Sequence, residues 1–72
     1  MENTYSKEYR QLLGKLLCAR TEVGLSQKEV AVLLDKPQSY VSKCESGERR
    51  IDVIELKRFS DIYKREINYF TE

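Results

Sequence analysis

The hydrophobic positions of the chain follow helical spacing in short segments that glycine and proline separate. Over residues 6–23, apolar side chains recur every three or four residues, which is the period of a helix with one buried face. These positions are Tyr9, Leu12, Leu13, Leu16, Leu17 and Ala19. Gly24 then suits the left-handed position at which many helices end. The pattern predicts a first helix that starts near Ser6 and ends near Val23.

Two further helix starts carry the same signature, a capping box. Ser26 precedes Glu29 by three residues, as Asp52 precedes Glu55. In each pair the first side chain can accept a hydrogen bond from the backbone N–H of the second residue, while the glutamate side chain accepts one from the backbone N–H of the first. An apolar residue stands on either side of each box, as in a hydrophobic staple: Leu25 and Val30, then Ile51 and Leu56. The pattern therefore predicts helices that begin at Gln27 and directly after Asp52.

A third helix is expected between these two, over about 37–46. Pro37 is excluded from helix interiors but suits a first turn, and Gly47 supplies a stop. Residues 66–70 add a last short turn of helix, and no segment has the alternating pattern of a strand. We therefore expect an all-α fold of four or five helices in which residues 26–47 form a helix-turn-helix.

The length and composition argue against a catalytic site, a metal site or a cofactor site. The 72 residues suffice for one small domain, which we assign to residues 1–72. Histidine, the commonest general base and zinc ligand, is absent, and Cys18 and Cys44 are too far apart for a CxxC zinc site. The sequence contains neither a nucleophile with a base at motif spacing nor a glycine-rich phosphate loop. It therefore predicts a protein that is not an enzyme and uses no metal or cofactor.

Three features predict a cytoplasmic protein. The N-terminal residues Met1–Tyr9 are polar and lack the apolar core of a secretion signal. No apolar stretch approaches the roughly 20 residues that cross a bilayer. The two cysteines are too few for a disulfide framework, which indicates free thiols in a reducing compartment.

The net charge of +1 does not by itself indicate a nucleic-acid partner. The basic residues are nevertheless unevenly placed, because residues 36–50 hold four Lys or Arg against two Glu. The segments on either side are close to neutral. This bias is modest, and an ordinary solvated helix face would also produce it.

The third predicted helix has one face made only of polar side chains without acids. Helical geometry groups on it Gln38, Ser39, Ser42, Lys43 and Ser46, and on the opposite face Val41, Cys44, Glu45 and Glu48. Amide, hydroxyl and ammonium groups can hydrogen-bond to base edges in a DNA major groove, with Gln suited to adenine and Lys to guanine. A solvated surface helix has the same composition, so these residues alone leave both interpretations open.

The chain resembles the Cro and phage-repressor class of helix-turn-helix proteins, also called the xenobiotic-response-element (XRE) family. Two stretches carry the resemblance, LSQKEVA at 25–31 and YVSKCESGERR at 40–50. The residues at the mutual spacing of the family are Gln27, Ala31, Val41, Glu45 and Gly47. The resemblance extends from Leu13 to about Phe70. It implies a compact, lambda-repressor-like bundle of five helices that binds DNA, usually as a dimer on a two-fold operator.

The resemblance also implies roles for individual residues. The base-reading positions correspond to Gln38, Ser39, Ser42 and Lys43, and the DNA-backbone positions to Gln27, Lys28, Tyr40, Arg49 and Arg50. Gln27 would also brace the first residue of the recognition helix, or it is simply the first residue of a capped helix. Tyr40 is suited to a thymine methyl, to a phosphate or to local packing. Arg20 would pair with Glu45 and hold the first helix beneath the recognition helix.

Four residues depart from the family pattern. Asp35 stands where the turn between the second and third helices usually has Gly, and aspartate adopts the left-handed conformation only at some cost. Pro37 replaces the usual Ser or Thr cap, which leaves the start of the recognition helix open. Cys44 replaces a larger apolar residue and is expected to act as a small buried hydrophobe. Leu17 stands where a basic residue is common, either as an added packing surface or as an ordinary surface leucine.

Two classes of function fit these features. The leading hypothesis is a sequence-specific, repressor-like regulator that binds double-stranded DNA as a homodimer through its third helix. The alternative is a protein-interaction module on the same scaffold, antitoxin-like or co-activator-like, which the net charge near zero and the apolar residues near the end of the chain favour. The apolar residues near the end of the chain either complete the core or form the dimer interface: Tyr63, Ile67, Tyr69 and Phe70.

Overall fold

The computed structural model describes residues 5–72, and within this range the chain forms five α-helices and no strand. The helices are α1 (Lys7–Glu22), α2 (Gln27–Leu34), α3 (Gln38–Ser46), α4 (Val53–Tyr63) and α5 (Ile67–Thr71). The expected all-α, five-helix fold is confirmed. The polar N-terminal stretch begins in residues 1–4, which lie outside the described range. Among the described helices, none has the length and apolar character needed to span a membrane.

Both predicted capping boxes form. The Ser26 hydroxyl accepts from the Glu29 N–H at 3.1 Å, and the Glu29 carboxylate accepts from the Ser26 N–H at 2.8 Å. Asp52 and Glu55 make the same pair of bonds at 2.8 and 2.9 Å. Each box satisfies two backbone N–H groups that a helix start otherwise leaves open, so α2 and α4 begin at defined residues.

The connection between α2 and α3 is a tight turn. Asp35 takes the left-handed conformation with φ 58°, as expected for the residue that stands in place of glycine. Pro37 lies just before α3 in extended conformation and provides no side-chain hydrogen bond to the helix start. Because the ψ of Pro37 is extended, this residue is the N-cap and the helix begins at Gln38, one residue later than the spacing predicts.

A small core fills the space between the helices. Its members come from all five helices: Leu16 and Ala19 from α1, Val30 and Ala31 from α2, Val41 and Cys44 from α3, Leu56, Phe59 and Tyr63 from α4, and Phe70 from α5. From α3, Val41 and Cys44 are fully buried and Tyr40 packs against the core, so the opposite side of this helix stays at the surface.

The expectation that Tyr63 and Phe70 line a dimer interface is wrong. Each is 1% exposed because it completes the core of its own chain. Ile67 and Tyr69 are half-buried. The Tyr69 ring also lies beneath the cationic group of Lys15, 5.7 Å from the ring centroid, so the folded chain covers much of this segment itself.

An ion pair between Arg20 and Glu45 connects α1 to α3. The guanidinium donates to both carboxylate oxygens, at 2.6 and 3.3 Å, and to the carbonyl of Leu25 at 2.9 Å. The side chains are only 14% and 7% exposed. Hydrogen bonding to Glu45 raises the pKa of Arg20, so the guanidinium stays charged. A bidentate pair with this burial holds the first helix against the base of the third.

We expect Arg20→Ala to lower the free energy of unfolding by about 3 kcal/mol, because it leaves the Glu45 carboxylate and the Leu25 carbonyl without a shared donor in mostly buried positions. Arg65→Ala is the matched control: it removes a pair with Glu22 whose side chains are 39% and 56% exposed. The control substitution should lower the free energy of unfolding by less than about 1 kcal/mol. Urea unfolding measures both, and equal losses would show that the Arg20 pair contributes no more than a surface pair.

Candidate nucleic-acid interface

The outward face of α3 presents a continuous set of polar side chains. All of its predicted members are exposed: Gln38, Ser39, Ser42, Lys43 and Ser46. The opposite face is held in the core by Val41 and Cys44, with the Glu45 side chain, which is 7% exposed, beside them. Glu48, which helical spacing groups with the inner face, is exposed because the left-handed Gly47 ends the helix before it. The structure thus brings the four expected base-reading side chains onto one accessible surface.

Cys44 is part of the support beneath this surface. Its side chain is fully buried, and burial raises the pKa of its thiol. The thiol therefore stays protonated near neutral pH and packs as a small apolar group.

Gln27 connects the buried ion pair to the exposed helix start. Its side-chain amide donates to the Glu45 carboxylate at 2.8 Å, and its amide oxygen accepts from the Gln38 side chain at 3.5 Å. The second bond is at the long limit for a hydrogen bond and is correspondingly weak. Gln38 is therefore braced but can still exchange this contact for another. Lys28, next to Gln27 in the first turn of α2, is exposed.

Tyr40 is packed against the body of the protein. Its ring lies parallel to that of Phe59, with centroids 6.4 Å apart, and its hydroxyl donates to Glu55 at 2.9 Å. Burial, together with the bond to Glu55, raises the pKa of Tyr40. Among the interpretations left open for this residue, the geometry favours local packing, since both its ring face and its hydroxyl have partners within the chain.

Arg49 is held by the same glutamate. One guanidinium nitrogen lies 2.8 and 2.9 Å from the two carboxylate oxygens of Glu55, and the group sits 5.0 Å from the centroid of the Tyr40 ring. Burial alone would raise the pKa of Glu55, but hydrogen bonds from the Asp52 N–H, Arg49 and Tyr40 outweigh it and lower this pKa. Glu55 is therefore ionised at neutral pH and neutralises the charge of Arg49.

Arg50 has different surroundings. Its guanidinium lies over two tyrosine rings, 5.2 Å from the centroid of Tyr5 and 4.5 Å from that of Tyr9. The Tyr9 hydroxyl also accepts from the Ile51 N–H at 2.9 Å, so α1 supports the loop that follows α3. Aromatic rings orient a cation without neutralising it. Arg50 thus keeps its charge at an exposed position beside the end of α3.

Two contacts beside α3 do not follow from the sequence pattern. The capping box indicates only a helix cap for Glu55, although the same carboxylate binds Arg49 and Tyr40. Tyr9 and Arg50 are far apart in the chain, and only the packing of α1 brings them together. Neither contact has a local spacing that would have revealed it.

Comparisons with known proteins agree with this architecture. A family model described as helix-turn-helix matches residues 19–70. Among solved structures, an XRE-family like protein from Pseudomonas syringae pv. tomato str. DC3000 is 44% identical and superposes with a TM-score of 0.82, over 88% of this chain and 77% of that chain. No curated protein matches significantly. The chain therefore belongs to the XRE family of helix-turn-helix proteins and has the fold of DNA-binding transcription regulators.

Proposed function

We propose that residues 1–72 form one sequence-specific, repressor-like regulator that reads the DNA major groove with α3. One observation carries the proposal: four groups able to bond base edges lie exposed on one face of a helix whose other face is anchored in the core. They are Gln38, Ser39, Ser42 and Lys43. The Gln38 amide is suited to adenine and the Lys43 ammonium to guanine, while the two hydroxyls accept or donate to either.

Contacts to the DNA backbone would come from both sides of α3. The first turn of α2 offers Gln27, the exposed Lys28 and the positive end of a helix dipole, all suited to a phosphate. On the other side, Arg50 offers an exposed guanidinium oriented by two tyrosine rings. Such contacts set the position of α3 without selecting a sequence.

The proposal includes a two-fold arrangement in the cytoplasm. Regulators of this architecture place two recognition helices in successive major grooves about 34–36 Å apart, which requires two copies of the domain. Free thiols at Cys18 and Cys44 suit a reducing compartment. The alternative of a protein-interaction module loses part of its support, because Tyr63 and Phe70 lie in the core rather than on the surface.

Gln38→Ala should relax the preference at one base position. Removing the amide loses one base contact at the preferred site, at a cost of about 1–3 kcal/mol, and leaves binding to random DNA unchanged. Selection from a random duplex pool followed by titration measures both quantities. Gln11→Ala, the same change at an exposed position of α1, should alter neither. If both variants select the wild-type site with wild-type affinity, Gln38 reads no base.

Arg50→Ala should weaken binding to every DNA sequence while leaving base preference unchanged. Each arginine that neutralises one phosphate contributes about 0.9 to the slope of log affinity against log salt, so the slope should flatten by about that amount. Lys57→Ala, which removes an equal charge from α4, should leave the slope unchanged. If Arg50→Ala selects a different DNA sequence from the random pool, the assignment of Arg50 to the DNA backbone is contradicted.

Glu55→Gln should strengthen binding to random DNA. Glutamine can keep the cap on the Asp52 N–H, but it no longer neutralises Arg49, whose guanidinium then becomes available to a phosphate. The salt slope should steepen by about 0.9, because one more phosphate is neutralised. The gain should vanish in the double variant Arg49→Ala/Glu55→Gln. A gain that persists there would show that Glu55 acts through the overall charge and not through Arg49.

A further inference from the structure

The largest apolar side chains left exposed lie mainly on α2 and α4. Within residues 5–72, the exposed fractions are 60% for Leu33 and 62% for Ile54, with Val32 and Val53 exposed beside them in sequence. Clustered apolar surface on a small folded chain marks a contact with another molecule more often than isolated apolar residues do.

An open groove runs between these two helices. It has a volume of about 360 Å³ and is lined by Leu33, Leu34, Arg58, Asp61 and Ile62. Ile54, Arg58 and Asp61 follow one another at spacings of four and three residues, so they share one face of α4. We call the residues Leu33, Ile54, Arg58, Asp61 and Ile62 the α2–α4 surface.

The α2–α4 surface carries one positive and one negative group side by side. Arg58 is exposed and makes no ion pair within residues 5–72. Asp61 pairs with Lys57 at 2.7 Å, but these side chains are 63% and 61% exposed, so the pair is weak and the carboxylate stays accessible. The surface is thus apolar and has at its edge an exposed guanidinium and an accessible carboxylate, with the Lys57 ammonium next to that carboxylate.

A surface with both Arg58 and Asp61 at its edge is complementary in charge to a second copy of itself. In a two-fold dimer each patch meets an identical patch, so Arg58 of one subunit can face Asp61 of the other, and the same pair forms again across the axis. A nucleic acid or an acidic peptide would meet Asp61 as well as Arg58 and gain little from the charges. The C-terminal segment offers no comparable surface, since Tyr63 and Phe70 are buried.

We propose that the α2–α4 surface is where the protein binds a second copy of itself, with Arg58 of each subunit opposite Asp61 of the other. The inference rests on the proposed function in one respect, namely that a two-fold operator requires a dimer. The reading face of α3 is not part of this surface and stays available to DNA.

Charge exchange tests the proposal on the full chain, by sedimentation equilibrium over a range of concentrations. Arg58→Asp and Asp61→Arg should each raise the Kd of the dimer by about tenfold or more, since each sets like charges opposite each other twice. The double variant R58D/D61R should restore the wild-type Kd. An equimolar mixture of the two single variants should form heterodimers, because both cross-axis pairs are then of opposite charge.

Apolar variants provide an independent measurement. Leu33→Lys should abolish the dimer, whereas Leu17→Lys, a matched change at a leucine of α1 that is 44% exposed, should leave it intact. Circular dichroism melting checks that each variant folds. A wild-type chain that stays monomeric, or a dimer that none of the charge variants weakens, overturns the proposal.

Retention on random DNA at low salt, measured in parallel, separates this inference from the proposed function. If the protein dimerises as described but does not bind DNA, the proposed function is contradicted and the proposed α2–α4 interface is not. If the protein binds DNA but the Arg58 and Asp61 charge variants leave the Kd of the dimer unchanged, only the proposed α2–α4 interface is contradicted.

Discussion

The carboxylate of Glu45 is the group on which the position of the outward face of α3 depends. It is 7% exposed and accepts hydrogen bonds from Arg20 and Gln27. A carboxylate so far removed from water is tolerated only while such donors are in place. Because Arg20 lies in α1, Gln27 in α2 and Glu45 in α3, one ion sets the relative positions of three helices. Through Gln27 the network reaches Gln38, so the buried charge also positions the first exposed residue of α3.

A second carboxylate, Glu55, determines how much positive charge surrounds α3. Together, Glu45 and Glu55 neutralise Arg20 and Arg49 within the fold. The exposed cations without an ion pair in residues 5–72 then include Lys28, Lys43 and Arg50. This arrangement explains how a chain with a net charge of only +1 can have a locally basic surface around α3.

Local signals made most of the fold predictable, whereas contacts between distant residues did not follow from spacing. The Ser26–Glu29 box, for example, depends on atoms three residues apart, and its helix starts where expected. The burial of Phe70 depends on how α5 packs against α1, and an apolar pattern fits a core and a dimer interface equally well. The pairing of Arg20 with Glu45 was anticipated only through the family resemblance. The link from Arg49 to Glu55 depends on the path of the loop after α3.

The most direct test of the account is a nuclear magnetic resonance titration of the isotope-labelled protein with a short duplex at low salt. If α3 enters the groove, the signals of Gln38, Ser42 and Lys43 should shift most, and those of the first turn of α2 should shift with them. The signals of α5 should stay in place. Shifts confined to α4 and α5, or no shifts at all, would contradict the assignment of the outward face of α3 to DNA.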